Sequence, residues 1–240
     1  MNMNLATFAS AVKLHSEGLR FFQSRNYDEA IKRFSESLLQ IKEILPMRKK
    51  RTQHSSDDRI ANASPALFFL LNESEDGKMP EAYCHASFMN HSSSFIFKCP
   101  VMLDCDSTER PSCKLSESLS YIILYNLALS NHLRATENGI LSEARLKRAL
   151  RLYEFAYHVQ TKEQISLNNM QTMALVNNIG HIHRVLKNEE EASQCFQHLL
   201  SVIMYVVGDC GERESNDHLD GFLANVMPLI LQQSPSASAA

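Results

Sequence analysis

The residues best suited to chemistry in this chain are its histidines and cysteines, and their spacing limits what they can do. His181 and His183 flank Ile182. Residues two apart on a helix project about 200° from each other, so one helix cannot aim both imidazoles at the same ion. The six cysteines, Cys84, Cys99, Cys105, Cys113, Cys195 and Cys210, contain no Cys-x-x-Cys pair. Cys99, Cys105 and Cys113 lack the spacing of a zinc site, so scattered thiols are the favoured reading. A glycine-rich phosphate loop, a Gly-x-Ser-x-Gly elbow and a His-Glu-x-x-His pair are all absent from the sequence. Serine, histidine and aspartate are plentiful, but a catalytic set is defined by geometry, and nothing here assigns a nucleophile or a base. The expectation is a protein that is not an enzyme, with no metal site and no cofactor.

Composition narrows the partner classes. The chain has 240 residues, of which 44% are hydrophobic, enough for a sizeable core, and a net charge of −3. Such a balance supplies no general basic stripe for phosphate, so nucleic acid is not expected as a partner. No apolar run reaches the roughly 20 residues that span a bilayer, so no membrane is expected either. The opening MNMNLATFASAV lacks the basic segment and sustained apolar core of a signal peptide. The reading is therefore a cytoplasmic protein with reduced thiols. Three Asn-x-Ser triplets, at Asn62, Asn72 and Asn90, are then chance matches to a glycosylation motif. The basic run Arg48-Lys-Lys-Arg51 leaves nuclear import open, although a solvated loop cluster is the favoured reading.

The clearest pattern lies in residues 170–204. Met173, Val176, Ile179, Gly180 and His183 fall on one helical stripe, and Ala192, Phe196, Leu199, Leu200 and Ile203 fall on another. The polar turn Lys187-Asn-Glu-Glu-Glu191 separates them, with acids where the next helix starts. Gly180 and Ala192 are 12 residues apart, so the smallest residues of two facing helices can meet. The same offsets recur near the start. Leu14, Gly18 and Phe21 line one helix, Asn26-Tyr-Asp-Glu29 makes the turn, and Ala30, Phe34, Leu38 and Ile41 line the next, with Gly18 and Ala30 again 12 apart. A third, looser unit has Leu124, Leu127, Ala128 and Asn131 followed by Ala149, Tyr153 and Ala156. Ala128 and Ala149 are 21 apart, which predicts a longer loop around 135–139.

Between the first two units, residues 46–116 break the helical period. Pro65, Pro80, Pro100 and Pro111 forbid one continuous helix. Ala66–Leu71 is a short apolar run, either a docking stretch or a cover for the first helical pair. Residues 82–86 and 95–103 have the β-branched and aromatic content of two strands, so the insert is expected to be partly β-like, with a hairpin across the turn at 90–94, or disordered. Pro100 confines the second strand to an edge or splits it. Beyond the third unit, Leu219, Phe222, Leu223, Val226 and Ile230 predict a capping helix over 215–232, kinked or stopped near Pro228. Residues 234–240 read as a disordered tail.

The recurring glycine, alanine, phenylalanine and acidic turn, worded Asn26-Tyr-Asp-Glu-Ala-Ile31 in the first unit, resemble the tetratricopeptide repeat, a helix-turn-helix unit of 34 residues. The wording ILYNLALSNHL and NNIGHIHRVLKNEEEASQCF is also similar to that of a group of microalgal proteins with such repeats, which adds no activity. The resemblance implies an all-α fold, an α-α solenoid of three hairpins within a single domain over 1–233, with repeats at about 8–45, 117–160 and 170–205. It also implies that the first helices of successive units line a concave groove. Carried over, that orientation places Val12, His15, Leu19 and Gln23 in the groove from the first unit, Tyr125, Asn126, Leu129 and His132 from the second, and Asn177, His181 and Arg184 from the third. His183 becomes a core filler.

Asparagine can bond both the N–H and the C=O of a peptide, and tyrosine and histidine add flat area with a polar tip. The implied function is a non-enzymatic scaffold that binds a protein or peptide partner in the groove, with the insert near or across it. The competing expectation is a metal- or small-molecule-responsive sensor that uses the cysteines and histidines of the insert. His15 and Leu19 stand where a clamp for chaperone C-termini would need lysine and asparagine, so that ligand is not expected.

Overall fold

The computed structural model describes residues 5–44, 95–103, 113–137, 141–162, 165, 168–209 and 219–233. Among them are seven α-helices and no strand: α1 (Leu5–Gln23), α2 (Tyr27–Ile44), α3 (Cys113–Thr136), α4 (Glu143–Lys162), α5 (Asn169–Val185), α6 (Glu189–Asp209) and α7 (Leu219–Gln233). The fold is all-helical, as the periodicity predicts. Neighbours pack in pairs, α1 with α2, α3 with α4 and α5 with α6. Contacts of α2 with α3, α4 with α5 and α6 with α7 join the pairs, and α3 also touches α1, as α5 touches α7.

Two of the three intra-pair turns share one geometry, and each places a basic residue and then an asparagine before an acidic helix start, Arg25-Asn26 and Lys187-Asn188. Arg25 and Lys187 each adopt a left-handed conformation, φ 59° and 62°. The N–H of the next residue then reaches back to the last turn: Asn26 to the Phe21 carbonyl and Asn188 to that of His183, both at 2.9 Å. Arg25 and Lys187 themselves donate to Phe22 and Arg184. This is the paired bonding of a Schellman stop, made here without glycine. Asn26 also caps α2, its side-chain oxygen accepting from the Glu29 N–H at 3.3 Å.

The small residues let the pairs close. Ala30, Phe34 and Ile41 of α2 are fully buried, as are Ala128 and Ala149 of the second pair. A Cβ at Gly18 would lie 2.6 Å from the ring of Phe34, so the glycine is what admits that ring. At Gly180 the nearest atoms, on Cys195 and Phe196, would be 3.0 Å away.

Several expectations change. Ala135 and Thr136 belong to α3 instead of a loop, so a longer helix absorbs part of the wider interval before Ala149. Leu14 is only half-buried. Helix α7 continues through Pro228 to Gln233. Residues 95–103 are extended but pair with no strand among the described residues, because asparagine side chains occupy the place a partner strand would take. Residues 82–86, the apolar run 66–71, the basic run 48–51 and the tail 234–240 lie outside the described residues.

Glycine substitution tests the close approach. Gly18→Ala gains helix propensity of about 1 kcal/mol but forces the Phe34 ring to move, and a net loss of about 1–2 kcal/mol is expected. Gly180→Ala should lose less. Gly208, with nothing within 4 Å of a new Cβ, should be neutral or gain up to about 1 kcal/mol as alanine. Urea unfolding midpoints that rank the three differently would contradict this packing.

Candidate functional site

Residues 95–103, Phe-Ile-Phe-Lys-Cys-Pro-Val-Met-Leu, run as an extended chain across α7, α5 and α3. In an extended chain the N–H and C=O of one residue point to the same side, and alternate residues repeat that direction. Three asparagines meet that side. Asn225 accepts from the Phe95 N–H at 3.0 Å and donates to the Phe95 carbonyl at 2.7 Å. Asn178 does the same for Phe97, with both bonds at 3.0 Å. Asn126 does so for Val101, with both bonds at 2.8 Å. A primary amide carries an acceptor and a donor side by side, so each asparagine replaces one residue of a neighbouring strand. The double bond also fixes which way each amide points. The segment runs against the order of the helices, Phe95 at α7, Phe97 at α5 and Val101 at α3. Pro100, which has no N–H, falls between the gripped positions and costs the ladder nothing.

Behind this ladder the amides bond one another. Asn177 donates to the Phe95 carbonyl and to the Asn178 oxygen, each at 3.1 Å, and accepts from Asn225 at 2.7 Å. Asn178 also donates to the Tyr153 hydroxyl at 3.1 Å. Asn126, Asn177, Asn178 and Asn225 are all buried. An unpaired buried amide costs free energy, so this network is stable because its members bond one another and the segment. Arg184 donates to the Asn225 carbonyl at 2.9 Å, while its guanidinium lies 4.0 Å from the centre of the Phe196 ring. Pro228 removes the N–H that would return to Ala224 in that part of α7, and the adjacent carbonyl takes its extra bond from α5.

Histidines complete the support. Asn126 Nδ2 also lies 3.0 Å from His15 Nε2. Because that amide nitrogen can only donate, His15 accepts on Nε2 and carries its proton on Nδ1. His132 Nε2 and His181 Nδ1 are 3.0 Å apart, so one is a donor and the other an acceptor. Burial pushes His15 and His181 down to about 4, with Arg184 adding to the effect on His181. It holds His132 well below its ordinary value, helped by His181. Burial keeps all three rings neutral at pH 7, and the bond from Asn126 requires it of His15.

Side chains of the segment also fill the site. Phe97 and Val101 are buried, whereas Lys98, Cys99 and Met102 are exposed. Phe222 meets Phe97 in a stacked contact at 5.7 Å and Phe95 edge-on at 5.3 Å. Gly221 leaves the room that Phe95 uses, since a Cβ there would sit 2.4 Å from the ring.

No protein-family model, curated protein or solved structure matches this chain.

Of the residues expected in a groove, Asn126 grips the segment directly, Asn177 bonds both Phe95 and the neighbouring amides, and His15 and Arg184 stand one bond behind, whereas His132 and His181 bond each other. Tyr125 is fully buried, with its ring against Tyr121 and Tyr153 and Cys99 of the segment close enough to act on it electrostatically. Gln23 is exposed at the end of α1. His183 is half-buried and bonds the Asn188 amide of the following turn. Asn178 and Asn225 were not singled out by the sequence. Asn126 and Asn178 each precede the small residue of their helix, Ala128 or Gly180, by two positions, and that shared register was the available signal. No group of three or more His, Cys, Asp or Glu residues that could hold a metal occurs among the described residues. Cys84, Cys105 and Cys210 lie outside them. Burial, with Glu154 and Glu191 nearby, pushes the Cys195 thiol up to about 11, away from thiolate chemistry.

Two measurements check the site. In hydrogen exchange, the amides of Phe95, Phe97 and Val101 should be protected. Asn178→Ala should release Phe97 by about 1–3 kcal/mol, the cost of leaving a buried peptide group unpaired. Wild-type amides exchanging at random-coil rates would remove the ladder. The second measurement is stability against pH. The folded rings of His15 and His181 titrate near 4 against an ordinary 6.5, so the unfolded chain binds more protons between those values. The contribution is complete above 6.5 and is lost as pH falls towards 4, by roughly 3 kcal/mol for each ring at pH 4. A urea midpoint that stays flat from pH 6.5 to 4.5 would mean that the rings reach water.

Proposed function

We propose that this chain is a non-enzymatic, intracellular interaction scaffold that holds an extended peptide by its main chain in a groove along α3, α5 and α7. The single observation that carries this reading is the ladder of Asn126, Asn178 and Asn225, each bonding both polar groups of one peptide residue. A tetratricopeptide-like architecture is consistent with the paired helices, the matched turns at Arg25 and Lys187, and the entry of Phe34 over Gly18. In such an array the odd-numbered helices form the inner wall, and the three ladder asparagines belong to odd-numbered helices. The wall offers uncharged amides and aromatic surface, a chemistry for recognising peptide and not for breaking bonds.

The test uses the full chain with the groove vacated. Phe97→Asp places a charge at a buried, stacked position and unseats the segment. That variant, and the same variant carrying Asn126→Ala and Asn178→Ala, are used to capture partners from an extract of the cells that make the protein. A loss of recovery of about tenfold or more with the asparagines removed, equivalent to about 1.4 kcal/mol, is expected. Equal recovery of every partner by both chains would retire the groove as the binding surface.

A further inference from the structure

The ladder reads only main chain, and main chain is the same in every peptide. Selectivity must therefore come from the side chains of the occupant that face the helices. Besides Ile96 and Leu103, which pack partly buried against the core, three positions do so. The first, held by Phe95, lies against Phe222 over Gly221, where a Cβ would come within 2.4 Å of the ring. The second, held by Phe97, is buried in a stack on Phe222. The third, held by Val101, is buried beside Asn126. Between them Lys98 and Cys99 are exposed, as is Met102 beyond the third. Proline is barred from all three positions by the N–H each must donate, yet it is tolerated just before the third, where Pro100 stands.

We infer that the groove's external ligand is an extended peptide with aromatic residues at two alternate positions and a β-branched residue four positions after the second, and that residues 95–103 are its competitor in cis. This rests on the groove reading above and adds the ligand class to it. The segment contributes two buried apolar side chains, Phe97 and Val101, and three partly buried ones, Phe95, Ile96 and Leu103, while the helices contribute the rest of the core. The helices also pack directly on one another, within pairs and between them, through their own apolar stripes. A tethered occupant acts at an effective concentration on the order of millimolar, so it masks the site from any free peptide of modest affinity.

A fluorescent peptide spanning residues 94–104, with serine in place of Cys99, is titrated into full-length wild type, Phe97→Asp, Val101→Asp, and Phe97→Asp/Asn178→Ala. Fluorescence anisotropy should show binding at least about tenfold tighter to either single variant than to wild type. The added Asn178→Ala should reverse that gain. Within the peptide, alanine at position 95, 97 or 101 should weaken binding about tenfold or more, and alanine at 98 or 102 less than about twofold. Equal affinity of wild type and both vacated chains would overturn the competitor. Equal sensitivity at 97 and 98 would overturn the ligand class. Loss of the helical circular-dichroism signal in both single variants would overturn it as well, because the segment would then be an indispensable part of the core. If peptide selectivity fails while asparagine-dependent capture persists, only the ligand class falls. If both lose their dependence on the asparagines, the groove reading falls with it.

Discussion

Burying an extended chain against helices creates a problem that helices cannot solve with their own backbone. Every N–H and C=O of a helix interior is already bonded to the next turn, so the face offers no main-chain partners to a peptide laid across it. The peptide's own groups would be left unpaired at a cost of about 1–3 kcal/mol each. Asn126, Asn178 and Asn225 resolve this by presenting, from three different helices, the donor and acceptor that a neighbouring strand would present. The placement of the rest of the site follows from keeping those amides fixed.

That requirement explains why so much polar chemistry is buried without charge. Each amide has two donor hydrogens and one oxygen, and the bond to the segment uses only part of that capacity. The remainder goes to Tyr153, to Asn177 and to His15. A charged partner in any of these places would have to be desolvated and then balanced, which a buried site does at higher cost than a neutral network. His15 serves because burial keeps its ring neutral and its Nε2 free to accept. Lysine there could only donate, to an Asn126 nitrogen that is itself a donor, and the amide would be driven out of register with Val101.

The sequence made some of this legible and hid the rest for physical reasons. Helix pairing was readable because its signals are local: Gly18 and Ala30, or Gly180 and Ala192, sit at fixed offsets within one hairpin, and a stripe such as Ala30, Phe34, Leu38 and Ile41 needs only helical geometry. The ladder is a relation among helices separated by about 50 residues of chain, and local periodicity does not report it. Asn177 and Asn178 are adjacent, and a one-residue difference of register separates the brace from the grip. The aligned position in α3 holds Tyr125 beside Asn126, so a choice that favoured Asn177 also favoured Tyr125, which turns into the core. Asn225 was hidden because α7 reads as a cap by its apolar stripe. Phe95 to Leu103 has the composition of a strand because its main chain meets the same demand as one, paired N–H and C=O groups, with side-chain amides in the role of the partner.

A ladder without charges also shapes how an occupant would be exchanged. Electrostatic attraction draws charged ligands together over a Debye length and is screened by salt, whereas amide-to-peptide bonds act only at contact. If the groove takes external peptides as proposed, encounter with such a face would not be steered, and discrimination would fall on how long a peptide stays, through filling the space over Gly221 and along Phe222 while all three amides remain paired. A peptide that fits the aromatic positions but shifts by one residue presents its N–H and C=O to the wrong side and loses every ladder bond at once. Register and side-chain fit are thus one selection, and residues 95–103 satisfy it because Phe95, Phe97 and Val101 lie on the same parity of the extended chain.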